Sequence, residues 1–291
     1  MKTVGIITNE DKDINLEFTE EIAGWLLARG CDILLEPRAA VSLKKTSCSA
    51  ERDELCAQAD FITVLGGDGT FLAIAHSAAK CGTPILGINT GMLGYLTDTG
   101  RENAFNALEK ALSGDCHIER RMMLRAETRG QGFAGNFIGR ALNDVCVLKD
   151  ATSTTITVEI DINGEYVDTY RADGLIISTP TGSTAYNFSA GGPILKPDTE
   201  MAVITPVCPH LAYARPMVVS GEDVIGLRIR RLESAGCFVI LDGHNRAAMS
   251  GEFGLTVRKA DMYTYIIKTN NLSHYDVLRK KIGGREAEAR S

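Results

Sequence analysis

This 291-residue chain is predicted to be α/β, with a Rossmann-like parallel-sheet domain followed by a β-rich, sandwich-like domain. Three observations predict it. Short apolar runs alternate with helical periodicity from Val4 to Leu112. The texture changes near residue 116, after which short alternating runs separated by turn residues continue to about residue 268. Within that second stretch, Asn163-Gly164 joins two alternating runs, a strong hairpin signal. Strands alternating with helices give a parallel sheet covered on both faces. Ligands bind such sheets at the carboxyl ends of the strands.

The elements follow in order. Val4 to Ile7 is a compact β-branched strand. Phe18, Ile22, Trp25 and Leu26 have helical spacing over Phe18 to Leu27, and Gly30 suits the left-handed position after it. Ile33 to Leu35 is a second strand, and 38–48 reads as a loop. Glu51 to Ala59 is a helix with Leu55 on its apolar face. Phe61 to Leu65 is a third strand, Phe71 to Lys80 a helix, Pro84 to Ile88 a fourth strand. Glu102 to Leu112 is a helix that ends at Ser113-Gly114-Asp115. Beyond it, Ile156 to Ile162, Glu165 to Val167, Val218 to Ser220, Leu227 to Arg230 and Phe238 to Leu241 carry the β texture. Ser273 to Ile282 regains helical spacing, and the polar residues from Gly283 to Ser291 are expected to fray. The expected domains are 1–116 with 269–291, and 117–268.

Composition narrows the function. Hydrophobic residues make up 44% and charged residues 23%, as in a folded globular chain. The net charge is −6 and no Lys/Arg-rich block exists, which argues against binding a nucleic-acid backbone. The eight cysteines include no C-x-x-C pair and no zinc spacing, so free thiols in a reducing cytosol are expected. No apolar run is long enough to span a membrane, and the first residues turn polar too quickly for a signal peptide. A cytoplasmic protein is expected.

The chemistry centres on Gly66-Gly67-Asp68-Gly69-Thr70. This stretch lies between a strand and a helix, where glycines let the backbone approach a ligand. The helix N-terminus beyond it favours an anion such as phosphate. Asp68 conflicts with that field unless it holds a proton, a metal or a hydroxyl nucleophile. The stretch is not a Walker loop, because no Gly-Lys-Ser/Thr follows. It is a poor dinucleotide fingerprint, since Leu72 stands where the third glycine belongs. The second stretch runs from Asp173 through Ser178-Thr179-Pro180-Thr181-Gly182-Ser183-Thr184-Ala185-Tyr186. Five hydroxyl residues in seven positions suit ribose, phosphate or carboxamide, and equally suit a Ser/Thr turn cluster. Asn143-Asp144 interrupts an apolar run; taken alone it reads as an edge-strand pair facing water. Asp242-Gly243-His244 taken alone reads as a hairpin turn. His76 and His210 read as structural histidines.

Taken together, Gly66 to Thr70, Asn89-Thr90-Gly91 with Leu93-Gly94-Tyr95-Leu96, Asn143-Asp144 and Thr179 to Tyr186 resemble the bacterial-type NAD kinases in order and spacing, from Val4 to about Ile282. The first motif is shared with lipid kinases; Thr-Gly-Ser-Thr-Ala-Tyr is the specific one. The resemblance implies phosphorylation of the adenosine ribose 2′-hydroxyl of NAD by ATP, giving NADP. It implies a C-terminal segment returning to the first domain, and an active site between the domains. Asp68 would be the catalytic carboxylate. Gly66, Gly67, Gly69 and Thr70 would line the ATP phosphates. NAD would meet Asp68, Gly69, Tyr95, Asn143, Asp144, Arg171, Asp173, Thr181, Thr184, Ala185, Tyr186, Asn187, Phe188, Ser189 and His244. A divalent metal, Mg or Mn, would arrive on ATP rather than on side chains. NAD and ATP would be the partners, in a homodimer or homotetramer, with no nucleic acid or membrane. The family more often has Glu at position 144 and often Gln at 244. Asp144 is one methylene shorter, which leaves room for a bridging water. The rival readings are a lipid or polyol kinase with the same glycine turn, and a non-enzymatic dinucleotide sensor.

Overall fold

The computed structural model describes residues 1–129, 138–150, 155–211, 213–230, 236–249, 251–270 and 272–287. The chain divides into two compact units, Met1–Arg120 with Tyr263–Ser291, and Arg121–Met262.

The first unit builds β1 (Thr3–Thr8), α1 (Glu17–Leu27), β2 (Asp32–Leu35), α2 (Pro37–Ser42), α3 (Arg52–Gln58), β3 (Phe61–Leu65), α4 (Asp68–Cys81), β4 (Ile85–Asn89), β5 (Thr99–Gly100) and α5 (Ala104–Ser113). The strands run parallel in the order β2-β1-β3-β4, with Val4 beside Phe61 and Ile62 beside Ile85. Every residue of β3 and β4 is buried. Parallel strands covered on both faces therefore read as continuous apolar runs rather than alternating ones. Phe18, Ile22 and Leu26 of α1 and Leu108 of α5 join Val4, Ile33, Leu35, Phe61 and Leu65 in one core. Helix α1 starts where buried Asp13 accepts the N–H groups of Phe18 and Thr19, at 3.0 and 2.8 Å, which satisfies donors that have no intrahelical partner.

The second unit is built on β6 (His117–Arg129), β7 (Ile138–Ala141), β8 (Asp144–Lys149), β9 (Ile156–Ile162), β10 (Glu165–Ala172), β11 (Gly174–Ser178), a single helical turn α6 (Tyr186–Ser189), β12 (Met201–Val207), β13 (Met217–Ser220), β14 (Ile225–Arg230), β15 (Cys237–Leu241), β16 (Asn245–Met249) and the start of β17 (Phe253–Lys268). One antiparallel sheet has the order β13-β12-β11-β8-β15-β16. In the other, β9 lies between β10 and β14, and β14 pairs with β17. The predicted hairpin is present. Asn163 and Gly164 have φ of 55° and 84°, and Glu165 pairs with Ile162, as a two-residue type I′ turn requires. The end of β17 lies parallel to β4 at Ile266 and Ile85, and α7 (His274–Ala287) completes the first unit.

Three expectations change. The stretch 38–48 is not a loop: it holds α2 and a 3-10 turn over Thr46–Cys48. Pro37 at the first helical position presets φ, and six residues are too few to show periodicity. Helix α4 begins at Asp68 rather than Phe71, because a Gly-Thr pair inside a first helical turn looks like a loop in sequence. The last helix continues through Gly283-Gly284 to Ala287; residues 288–291 lie outside the described residues.

Candidate active site

Strand β3 delivers the glycine-rich stretch at its carboxyl end. None of Gly66, Gly67 and Gly69 has positive φ, so conformational freedom is not why glycine stands there. At Gly66 the reason is space, since a Cβ would lie 2.5 Å from Thr70 Oγ1. Gly67 is the N-cap of α4, with φ −104° and ψ −173°, and Asp68 is the first helical residue. The first N–H groups of such a helix have no intrahelical acceptor and face outward. Gly66 is buried, Gly67, Asp68 and Thr70 are half-buried, and Gly69 is exposed. Asn9, just after β1, donates from its backbone to Leu65 O and from Nδ2 to Thr70 Oγ1, which ties the neighbouring strand end to this turn.

The conflict at Asp68 is resolved within the first unit. Its Oδ1 accepts the N–H groups of Leu96 and Thr97 and the Thr97 hydroxyl, at 3.0, 3.1 and 3.1 Å. Oδ2 accepts the N–H of Tyr95 at 2.9 Å. The donors come from the loop after β4, and Asn89 at the end of that strand folds the loop. Asn89 Nδ2 donates to Met92 O and Thr97 Oγ1, and its Oδ1 accepts Gly91 N–H. Gly94 is needed for the approach, since a Cβ there would lie 2.1 Å from Asp68 Oδ1. Tyr95 is half-buried, and the Lys281 ammonium of α7 lies 5.3 Å from its ring centroid. Burial, then the Asp68 charge, raises the Tyr95 hydroxyl pKa.

In the second unit three stretches converge. Asp144 opens β8, which is central in its sheet between β11 and β15. The edge-strand expectation for Asn143-Asp144 is therefore overturned: Asp144 is buried and Asn143 half-buried. An apolar run interrupted by a polar pair does not reveal which strands will flank it. The backbone around the pair is fully partnered. Asp242 Oδ2 accepts Leu142 N–H at 2.9 Å, and its Oδ1 accepts Asn143 and Asp144 N–H at 2.6 and 3.2 Å. Asp242 N–H returns a bond to Asp144 O. On the carbonyl side, the Thr179 hydroxyl donates to Leu142 O and Thr179 N–H to Asn143 O. A Cβ on Gly182 would lie 2.1 Å from Asn143 O, so the hydroxyl loop packs backbone to backbone on the pair. Asp242-Gly243 is a hairpin turn, with φ of 50° and 75°, but Asp242 is also the anchor of position 143. Its signal in sequence was only an Asp ahead of glycine, and Thr97 gave none.

The remaining predicted residues of this unit differ in exposure and partners. Thr181 is buried and accepts from Arg121 at 3.5 Å. Thr184 and Ala185 are half-buried, while Tyr186, Phe188 and Ser189 are exposed on α6. Asn187 is buried, and its amide is engaged by Ser183 O, Pro193 O and the Thr205 hydroxyl, so it builds the loop. Asp173 faces Lys149 at 3.4 Å. Arg171 and His244 are exposed. A cavity of about 350 Å³ is lined by Asn143, Asp144, Cys146, Ala185, Tyr186 and Asp242, among others. Burial raises the Asp144 carboxyl to about 6, against the lowering effect of the Cys146 thiol that donates to it at 3.3 Å. Burial also raises Asp242, opposed by the three N–H groups it accepts.

Among the described residues no group of three or more His, Cys, Asp or Glu is placed to hold a metal. No described helix is long and apolar enough to cross a membrane.

Comparison with known proteins bears on the whole arrangement. Residues 4–116 match the ATP-NAD kinase N-terminal domain, and residues 142–269 the ATP-NAD kinase C-terminal domain. The NAD kinase of Caldanaerobacter subterraneus subsp. tengcongensis is 41% identical over 286 residues, which cover 98% of this chain and 100% of that one. That of Geotalea daltonii is 39% identical over 97% of this chain and 98% of its own. An NAD kinase from Archaeoglobus fulgidus, solved in complex with ATP, superposes with a TM-score of 0.75 at 27% identity, over 97% of this chain and 98% of its own. Yeast NADH kinase complexed with NADH shares the fold, with a TM-score of 0.87 at 21% identity, over 98% and 88%. Both family domains, in order, and relatives alike over nearly their whole length carry one conclusion: the chain belongs to the NAD kinase family.

Proposed function

We propose that this chain transfers the γ-phosphoryl group of ATP to the 2′-hydroxyl of the adenosine ribose of NAD, with Asp68 as the catalytic carboxylate. Asp68 carries this reading. Its Oδ2 accepts one hydrogen bond, from Tyr95 N–H, and a carboxylate oxygen accepts two. A lone pair therefore remains for a substrate hydroxyl, while the other donors hold the carboxylate still. As the ribose oxygen forms its bond to the γ-phosphorus, the bond from that phosphorus to the β,γ-bridging oxygen breaks. The hydroxyl proton passes to Asp68 Oδ2, and ADP leaves with the bridging oxygen. Most of the catalysis in such a transfer is positioning and charge neutralisation.

Gly66, Gly67, Gly69 and Thr70 are assigned to the ATP phosphates at the N-terminus of α4. Asn143 and Asp144, with Arg171, Asp173, Thr181, Thr184, Ala185, Tyr186, Phe188, Ser189 and His244, are assigned to NAD, Gly69 and Tyr95 to the same ligand beside Asp68, and Asn187 to holding the loop. Exposed aromatics such as Tyr186 and Phe188 suit stacking on a ring. A divalent cation is assigned to the ATP phosphates themselves, since a magnesium ion bound by phosphates needs few protein ligands. The same reading has the chain act in the cytoplasm as a homodimer or homotetramer.

Purified protein incubated with ATP, a magnesium salt and NAD forms NADP and ADP in equal amounts. Phosphorylation of diacylglycerol in place of NAD would establish the lipid-kinase reading, and NAD binding without ADP release a sensor.

A further inference from the structure

We infer that Lys12 is a binding residue for the phosphates of the donor nucleotide, an inference that rests on the placement of ATP at the N-terminus of α4. Lys12 lies in the loop after β1, and its Nζ is 3.5 Å from where a Cβ on Gly67 would stand and 3.9 Å from that of Gly91. It thus lies close to Gly67 of the turn and to Gly91 of the loop after β4. Glycine at both places leaves open the space that the ammonium and an anion would share.

The position is held by the fold rather than by chance. Lys12 N–H and Asp13 N–H both donate to Asn9 O, and Asp11 N–H to Asn9 Oδ1. Asn9 is itself bonded to Leu65 O and Thr70 Oγ1, and Asp13 is buried under the start of α1. The chain is therefore fixed on both sides of Lys12. Nearby acids are engaged elsewhere. Asp13 is spent on α1, Glu10 lies 3.4 Å from Arg38, and Asp68 turns its carboxylate to the loop at 95–97. No ion pair of Lys12 occurs among the described residues. A cation set beside the positive end of a helix is electrostatically unfavourable. An anion bound between them reverses that sign, and a lysine serves phosphate as a point charge. The glycines of the turn and Thr70 offer only dipoles, to which Lys12 adds a full positive charge.

The test uses the whole chain with Lys12→Met and Lys12→Arg, read by NADP formation and by calorimetric titration with ATP alone. Lys12→Met raises KM for ATP, and the Kd for ATP, about tenfold or more, leaves KM for NAD within about twofold and keeps the wild-type Tm. Lys12→Arg recovers most of the ATP affinity. Equal ATP affinity in Lys12→Met and wild type overturns the inference. If wild type makes no NADP, the assigned reaction fails, while the ATP titration still decides the role of Lys12.

Discussion

Asp68 in the first unit and Asp144 in the second are acids held in opposite ways. The Asp68 carboxylate is half-buried and gripped directly, by three N–H groups and a hydroxyl from one loop. The Asp144 carboxyl is buried and receives a single weak thiol donor, while its backbone is gripped on both sides by Asp242 and the strand's own pairing. The donors spent on the Asp68 carboxylate suit the proton-accepting role proposed for it, which requires a side chain kept oriented through the reaction. The fixed main chain and unspent carboxyl of Asp144 suit the NAD-recognising role proposed for it. Both solutions depend on a glycine: Gly94 lets its loop close on the Asp68 carboxylate, and Gly182 lets two backbones close up.

That contrast can be broken at either end. Gly94→Ala has the largest expected effect. The new methyl would meet Asp68 Oδ1 at 2.1 Å and Thr97 Oγ1 at 2.4 Å, and misplacing a reacting group by about 1 Å costs about 10²-fold in rate. Steady-state assays should show kcat falling by that order with KM for NAD little changed; an unchanged kcat would mean that the grip on Asp68 does not matter. Asp242→Asn comes next. The amide keeps one acceptor oxygen for three N–H groups, and each buried donor left unpaired costs about 1–3 kcal/mol. It should raise KM for NAD about tenfold, with kcat falling less and a lower Tm; a fall in kcat alone would assign Asp242 to the chemistry.

The smallest effect concerns pH. With Asp144 raised to about 6, its carboxylate is lost as pH drops through that value, and with it the acceptor proposed for NAD. KM for NAD should rise about threefold between pH 7 and 5, and Asp144→Asn should flatten the profile. The same shift touches stability. Between the ordinary 3.8 and about 6 the folded chain holds a proton that the unfolded chain has lost. This group's contribution to stability therefore declines as pH rises through that window.

Much of this is legible in the sequence wherever local pattern decides structure. The alternation of β1 to β4 with their helices, the Asn163-Gly164 hairpin and the glycine turn are all written in neighbouring residues. What escaped was set by partners distant in sequence. Asp68 meets Thr97 29 residues away, and Asp242 meets Leu142 100 residues away. No periodicity or turn preference encodes such a meeting. The reading of Asn143-Asp144 as an edge pair failed for the same reason, because burial on a central strand is decided by β11 and β15. The hydroxyl run was ambiguous because its residues do two jobs. Thr179 and Ser183 hold backbone, while Tyr186 stands exposed.

The central claim is a division of labour, with Asp68 acting on the proton and the Asn143–Asp144 hub acting on recognition. One NADP-formation assay comparing Asp68→Asn with Tyr186→Ala tests it most directly. Asp68→Asn keeps an oxygen for three of its four donors, so it should lower kcat by about 10²–10⁴-fold at nearly wild-type KM for NAD. Tyr186→Ala should raise KM for NAD more than it lowers kcat. An Asp68→Asn enzyme with near wild-type kcat would contradict the account.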